Sequence, residues 1–338
     1  MNEAKQGIVI PARPHPDKVV QCRVSTIGQI IDLALKFDPD NESWVYRGQS
    51  SAAWHLATTL ERNCSISSDF GACLRREHEA IKRFRALTRG RLDFGNDRIS
   101  WLSAMQHYGV WTRLLDFTRS FFVALFFASQ KASKGKEPCD FAVWCLNLKK
   151  TFEKSGAVDK SVRTDVEAAA VKPNDMSLEE FKDCLEVAAD ACKRGCYFDD
   201  AERVSFLRAL ANEMLEDGSQ VRSGVVPVDL PNSNERILAQ NGLFVLPANF
   251  EGFESNLVET LEVDKDAFAE GMVNASVGKV MGLLECRRLA CAKIIIDQQC
   301  RDEVVKLLNA ANITPRTIYS DIPGIALSFQ KGFFEDEE

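Results

Sequence analysis

No Cys-x-x-Cys pair, no long apolar run and only four histidines occur in this 338-residue sequence. The longest uninterrupted apolar stretch, Phe121 to Ala128, falls far short of the roughly 20 residues that a membrane-crossing helix requires. A membrane protein is therefore not expected. Neither Gly-x-x-x-x-Gly-Lys nor Gly-x-Gly-x-x-Gly is present, which removes the P-loop and the dinucleotide fingerprint. The hydrolase elbow Gly-x-Ser-x-Gly is missing as well. Histidine is absent near Cys184, Cys192 and Cys196, so no metal site is expected there. Positive charge is in deficit: net charge is −7 and the pI about 5.4, which argues against a surface that grips nucleic acid throughout but allows a local basic patch. The cysteines themselves number eleven, an odd count, and several sit in apolar stretches such as Phe141 to Cys145. Met1 to Gln6 does not read as a signal peptide. Free thiols in a reducing, cytoplasmic compartment are the expectation.

What is present is an ordinary globular mixture, 45% hydrophobic and 27% charged. Residues 1–24 are polar and broken by prolines, and are expected as an N-terminal extension. Ile27, Ile30, Ile31, Ala34 and Leu35 recur at helical spacing behind Ser25 or Thr26 as N-cap. Trp44 to Tyr46 reads as a short strand ending at Gly48. Residues 72–92 form a basic helix with Arg75, Arg76, Arg83, Arg85, Arg89 and Arg91, whose face is expected to be solvated. Ser100 to Tyr108 reads as a helix capped by Ser100 and stopped by Gly109. Val110 to Asp116 then reads as a strand, Ser120 to Lys131 as an apolar helix and Phe141 to Leu148 as a buried strand. Residues 150–225 are charged, alanine-rich and helical. Strand patterns return at Gly242 to Pro247 and Lys293 to Asp297, followed by a helix from Arg301 to Ala311 and a strand-like Thr317 to Tyr319. Strands and helices do not alternate regularly enough for a doubly wound sheet, so the expected class is α+β.

Two segments carry polar chemistry. Arg47 ends a strand directly before Gly48, where the backbone can turn and a ligand can approach, and its planar fork suits a phosphate or carboxylate. The stretch Met105 to Thr118 gathers Gln106, His107, Tyr108, Thr112, Arg113 and Asp116 around a helix-to-strand turn, a concentration that marks a site. The structural alternative is a capped helix in which Arg113 pairs with Asp116.

The combination of Tyr46-Arg47-Gly48-Gln49, Met105-Gln-His-Tyr-Gly109, Thr112-Arg-Leu-Leu-Asp116 and Ala124-Leu-Phe-Phe-Ala128 closely resembles the FRG domain family, named for an aromatic-Arg-Gly motif. Arg236-Ile-Leu-Ala-Gln240-Asn-Gly242-Leu-Phe244 is similar to a later segment of that family. The resemblance spans most of residues 25–330, with a helical insertion at about 150–225 that could dock a partner protein, and an acidic tail at 331–338. Trp111 stands where the family carries proline. More weakly, Val45-Tyr46-Arg47-Gly48 is similar to the first motif of arginine-type ADP-ribosyltransferases.

That second resemblance implies a mixed or antiparallel sheet core of ADP-ribosyltransferase-like type with flanking helices, and NAD as substrate with no metal. It implies that Arg47 holds the phosphates, that Thr112 or Thr118 supplies a hydroxyl, and that Gln240 occupies the place of the catalytic acid unless Glu235 or Asp116 takes that role. Tyr46, Tyr108 or Trp111 could stack on a ring, His107 could act as base, and Gly48, Gln49 and Arg113 would complete the nucleotide site. The function implied is an NAD-consuming toxin or antiphage effector with a protein or nucleic-acid acceptor. A non-catalytic nucleotide- or nucleic-acid-binding module is the main alternative. A nuclease built on Asp116, His107 and Glu77 is the third.

Overall fold

The computed structural model describes residues 19–37, 44–63, 70–130, 138–148, 211–212, 215, 224–229, 235–261 and 273–319. Its strands are short runs rich in Val, Ile and aromatic residues, the types that fit a pleated, buried surface. They are Val19–Val24 (β1), Trp44–Gln49 (β2), Leu115–Thr118 (β3), Phe141–Asn147 (β4), Val225–Val228 (β5), Gly242–Pro247 (β6), Val273–Ala275 (β7) and Cys291–Ile296 (β8). All eight join one mixed sheet in the order β5-β6-β3-β2-β4-β8-β1-β7. Pairing is antiparallel from β5 to β8 and parallel where β1 meets β8 and β7. The helices are Ile27–Phe37 (α1), Thr59–Asn63 (α2), Phe70–Leu87 (α3), Arg98–His107 (α4), Phe121–Ser129 (α5), Glu235–Ala239 (α6), Phe253–Leu261 (α7), Val277–Glu285 (α8), Arg301–Ala310 (α9) and Pro315–Ile318 (α10). The class is α+β, as the irregular order of elements implies.

One apolar cluster lies where α1, α5, α8, α9 and α10 cover the sheet, including Phe37, Tyr46, Phe121, Ile294 and Leu308. A second, with Phe117, Trp144, Phe253 and Leu257, lies under α7. A third joins α3 and α4 to β5 and β6 through Ile81, Trp101, Met105 and Phe244. No helix among the described residues is long and apolar enough to cross a membrane. The seven cysteines among them are free.

The local signals that depend on capping were partly misleading. Thr26 caps α1 as expected, its hydroxyl accepting from Gln29 N, but the buried stripe is Ile30, Leu33, Ala34 and Phe37, and Leu35 faces solvent. Helix α4 begins behind Asp97, and Ser100 is a buried residue within it; Gly109 does end it, with φ +84 and Val110 N donating to Met105 O. Residues 110–114 are not strand, because the backbone of Thr112 is bonded to α2 instead of a ladder. Thr317 to Tyr319 is not strand either: Thr314 and Thr317 form a capping box with Pro315 at the helix start, and α10 results. The polar stretch 1–24 ends in β1, a strand paired on both edges and not an extension. Most of the block at 150–225 and all of 331–338 lie outside the described residues.

Candidate functional site

Alternation along β2 decides what each residue of Tyr46-Arg47-Gly48-Gln49 does. Tyr46 is fully buried, its ring edge-on to Phe37 and Phe121 and its hydroxyl 3.5 Å from Phe37 O. Gly48 faces the same side, where a Cβ would lie 1.9 Å from Ala124 O and 2.6 Å from Ala128 N. The glycine is therefore demanded by the close approach of α5, not by a turn or a ligand. Gln49 is locked by Trp144 Nε1 at 2.8 Å and by its own amide donating to His55 O at 2.9 Å. Neither aromatic nor amide is left for stacking or binding. Arg47 remains.

Strand β2 meets β3 through a single register pair, Tyr46 with Thr118. Beyond that pair the Asp116 carbonyl accepts from Arg47 Nη1 at 2.6 Å, a side chain taking the place of a ladder partner. The Asp116 carboxylate lies 3.8 Å from the same nitrogen, and Arg47 Nε has no hydrogen-bond partner. Burial pulls the Arg47 pKa below its ordinary value; Asp116 opposes this, and the nearby charge of Arg62 adds to it. Arginine still stays charged. Arg47 is thus a desolvated cation with incomplete satisfaction, a group that an anion would stabilise.

Asp116 is oriented by a relay. Gln106 Nε2 donates to Asp116 Oδ1 at 2.7 Å, and Gln106 Oε1 accepts from the hydroxyl of buried Thr112. The Thr112 carbonyl in turn accepts from Leu60 N at 3.1 Å and from the Thr59 hydroxyl at 3.0 Å, fastening α2 and so Arg62 and Asn63. On the far side, Thr118 donates to Gln240 O at 2.7 Å, and Gln240 Nε2 reaches Ile318 O at 3.3 Å. The guanidinium of Arg236 lies over the Tyr319 ring, 5.1 Å from its centre.

Arg47, Arg62, Gln106, Asp116, Thr118, Arg236, Gln240 and Tyr319 line one cleft of about 1340 Å³, together with Trp54, His55, His107, Phe127 and Gln130. Among the described residues that line it, three are arginines, Arg47, Arg62 and Arg236, and one is a carboxylate, Asp116. The cleft is cationic within a chain of net charge −7. Among the described residues no group of three or more His, Cys, Asp or Glu is placed to hold a metal.

Of the residues expected at the site, Tyr46, Arg47, Gly48, Gln49, His107, Asp116, Thr118 and Gln240 line this cleft, the side chains of Tyr46 and Gln49 being engaged within the protein. Arg113 does not: it is buried against Glu77 at 2.8 Å and over Phe250 at 4.6 Å, so the alternative of an Arg113–Asp116 pair is replaced and Glu77 is withdrawn from any nuclease centre. Thr112 acts through Gln106. Glu235 is exposed on α6 and, like Tyr108, outside the cleft lining. Arg62, Arg236, Trp54, Gln130 and Tyr319 were not anticipated; the arginine opening Arg236-Ile-Leu-Ala-Gln240 was the available signal for one of them.

The fold and cleft define an α+β protein with an arginine-lined cleft where β2 and β3 meet through a single register pair. Residues 42–137 match the family model described as the FRG domain, and the chain accordingly carries an FRG domain that runs from the start of β2 past the end of α5. No curated protein and no solved structure matches the chain.

Proposed function

We propose that the cleft binds a phosphate-bearing nucleotide, with NAD as substrate, and that the protein cleaves or transfers its ADP-ribosyl group. The observation that carries this reading is the convergence of Arg47, Arg62 and Arg236 on one cleft, where Asp116 is the one carboxylate among the described lining residues. Guanidiniums suit the phosphates. Breaking the ribosyl–nicotinamide bond develops positive charge on the sugar, and Asp116, fixed by Gln106, is the group able to stabilise it. The order Arg47 on β2, Thr118 on β3 and Gln240 before β6 is compatible with the ADP-ribosyltransferase-like arrangement. In this reading Gln240 is a neutral positioning group and Asp116 the acid. A cytoplasmic NAD consumer of this kind would serve as a toxin or antiphage effector.

The test is nicotinamide release from NAD by the wild type, Arg47→Ala and Asp116→Asn. Release by the wild type and a loss of about a hundredfold or more in both variants is expected; equal turnover in all three would remove the proposal. A binding-only module is favoured by one specific observation, the engagement of Gln240 with Ile318 O in place of a free acid. It predicts saturable binding of ADP or NAD with no product.

A further inference from the structure

We infer that the surface running from the cleft mouth onto α3 binds a single-stranded nucleic acid. It is separate from the NAD reading and stands or falls without it. Between Arg75 and Arg91 the exposed side chains include six cations, Arg75, Arg76, Lys82, Arg83, Arg89 and Arg91, against the one exposed carboxylate Glu79. Glu77 is buried on Arg113 and contributes nothing outside. Arg83 holds Glu79 at 2.8 Å, a surface pair that an incoming phosphate displaces at little cost. Spacing of seven and eleven residues puts Arg76, Arg83 and Leu87 on one face, and Leu87 is 83% exposed. The following turn is held against α4, with Trp101 Nε1 donating to Gly95 O and Phe94 edge-on to Trp101. Arg85, at the end of α3, lies over the same Trp101 ring at 5.3 Å.

The second observation is independent of charge. Among the described residues the exposed large aromatics are Trp54, Tyr108 and Trp111; Trp54 lines the cleft, and Tyr108 and Trp111 belong to the turn that follows α4. Tyr108 directly follows the cleft residue His107 and tilts on Phe84 of α3 at 6.4 Å, joining the cleft mouth to the cationic helix. Exposed rings among arginines are a platform for unpaired bases, each of which has a face to stack while its phosphate meets a cation. An acidic protein would use the cations and leave the rings unexplained. A duplex hides its base faces. The occupant is a strand with free bases.

The test is fluorescence anisotropy with a labelled, unstructured twelve-residue oligonucleotide, as RNA and as DNA, at several salt concentrations, with polyglutamate as competitor. Wild type should bind either strand with steep salt dependence. Tyr108→Ala should weaken binding about five- to hundredfold. Arg76→Ala/Arg83→Ala/Arg89→Ala should flatten the log–log salt slope by about two, at roughly 0.7 per lost phosphate contact. Nicotinamide release, measured alongside, should be unchanged in both variants, and a strand bound without any NAD turnover would still support the inference. Absence of binding at low salt, unchanged affinity in both variants while their thermal melting matches wild type, or equal displacement by polyglutamate would each overturn it.

Discussion

Gly48 and Cys291 show how closely single positions are constrained. A methyl group at Gly48 would enter the α5 backbone, so Gly48→Ala must push that helix off the sheet. A loss of about 3 kcal/mol is expected from overpacking against backbone, read as a lower denaturation midpoint. Burial pushes the Cys291 thiol up from 9.0 to about 12, with Glu254 adding to the effect and Lys293 opposing it. The folded chain therefore keeps a proton that the unfolded chain gives up above pH 9. Stability from this group is complete below pH 9 and falls as pH rises toward 12. Relative to Cys291→Ala, the wild type should lose about 1.4 kcal/mol per pH unit across that window, measured by denaturant titration at each pH. The motif Tyr-Arg-Gly-Gln was legible as a candidate in the sequence, but the division of labour within it was not. Period-two alternation already puts Tyr46 and Gly48 on one side and Arg47 and Gln49 on the other; what the sequence withholds is which side carries a helix.

Among elements, the turn between α4 and β3 has the most concentrated design. Arg113 and Glu77 pair in the interior and tie this turn to α3. Removing one partner leaves an uncompensated buried charge. Arg113→Ala and Glu77→Gln should each cost about 3–5 kcal/mol, whereas the double variant Arg113→Met/Glu77→Leu should cost less than either. Thermal melting of the three variants checks this order. The sequence revealed that this segment was dense in polar groups. It could not reveal that Arg113 turns inward and Asp116 outward, because the partner of Arg113 lies on another helix 36 positions earlier. Strand-like Thr317 to Tyr319 failed for a related reason: local capping by Thr314 overrode the β-propensity of isoleucine and tyrosine.

At the scale of the molecule, the cleft is assembled from distant parts of the chain. Arg47 and Arg62 come from the matched domain, while Arg236, Gln240 and Tyr319 come from beyond it. Tyr319 supports Arg236 from below and packs on Phe126 and Phe127. Tyr319→Ala should weaken ADP binding about fivefold through loss of this support, seen by calorimetry, with the fold retained. A reading confined to the strongest motifs finds half of the cleft, since the other half carries no dense motif.

The placement of β1 has a consequence for how the protein comes into being. Both neighbours of this strand, β7 and β8, lie about 250 residues or more further along the chain. A nascent polypeptide emerging at about 5–20 residues per second would wait well over ten seconds with β1 unpaired. Its hydrogen-bonding edges would stand open throughout, an invitation to chaperones or to self-association. Tyr319, which lines the cleft, is translated later still. A ribosome-bound fragment that stops short of Tyr319 would therefore be inert, and the activity proposed for the cleft would appear only once that residue has been made and has left the ribosome.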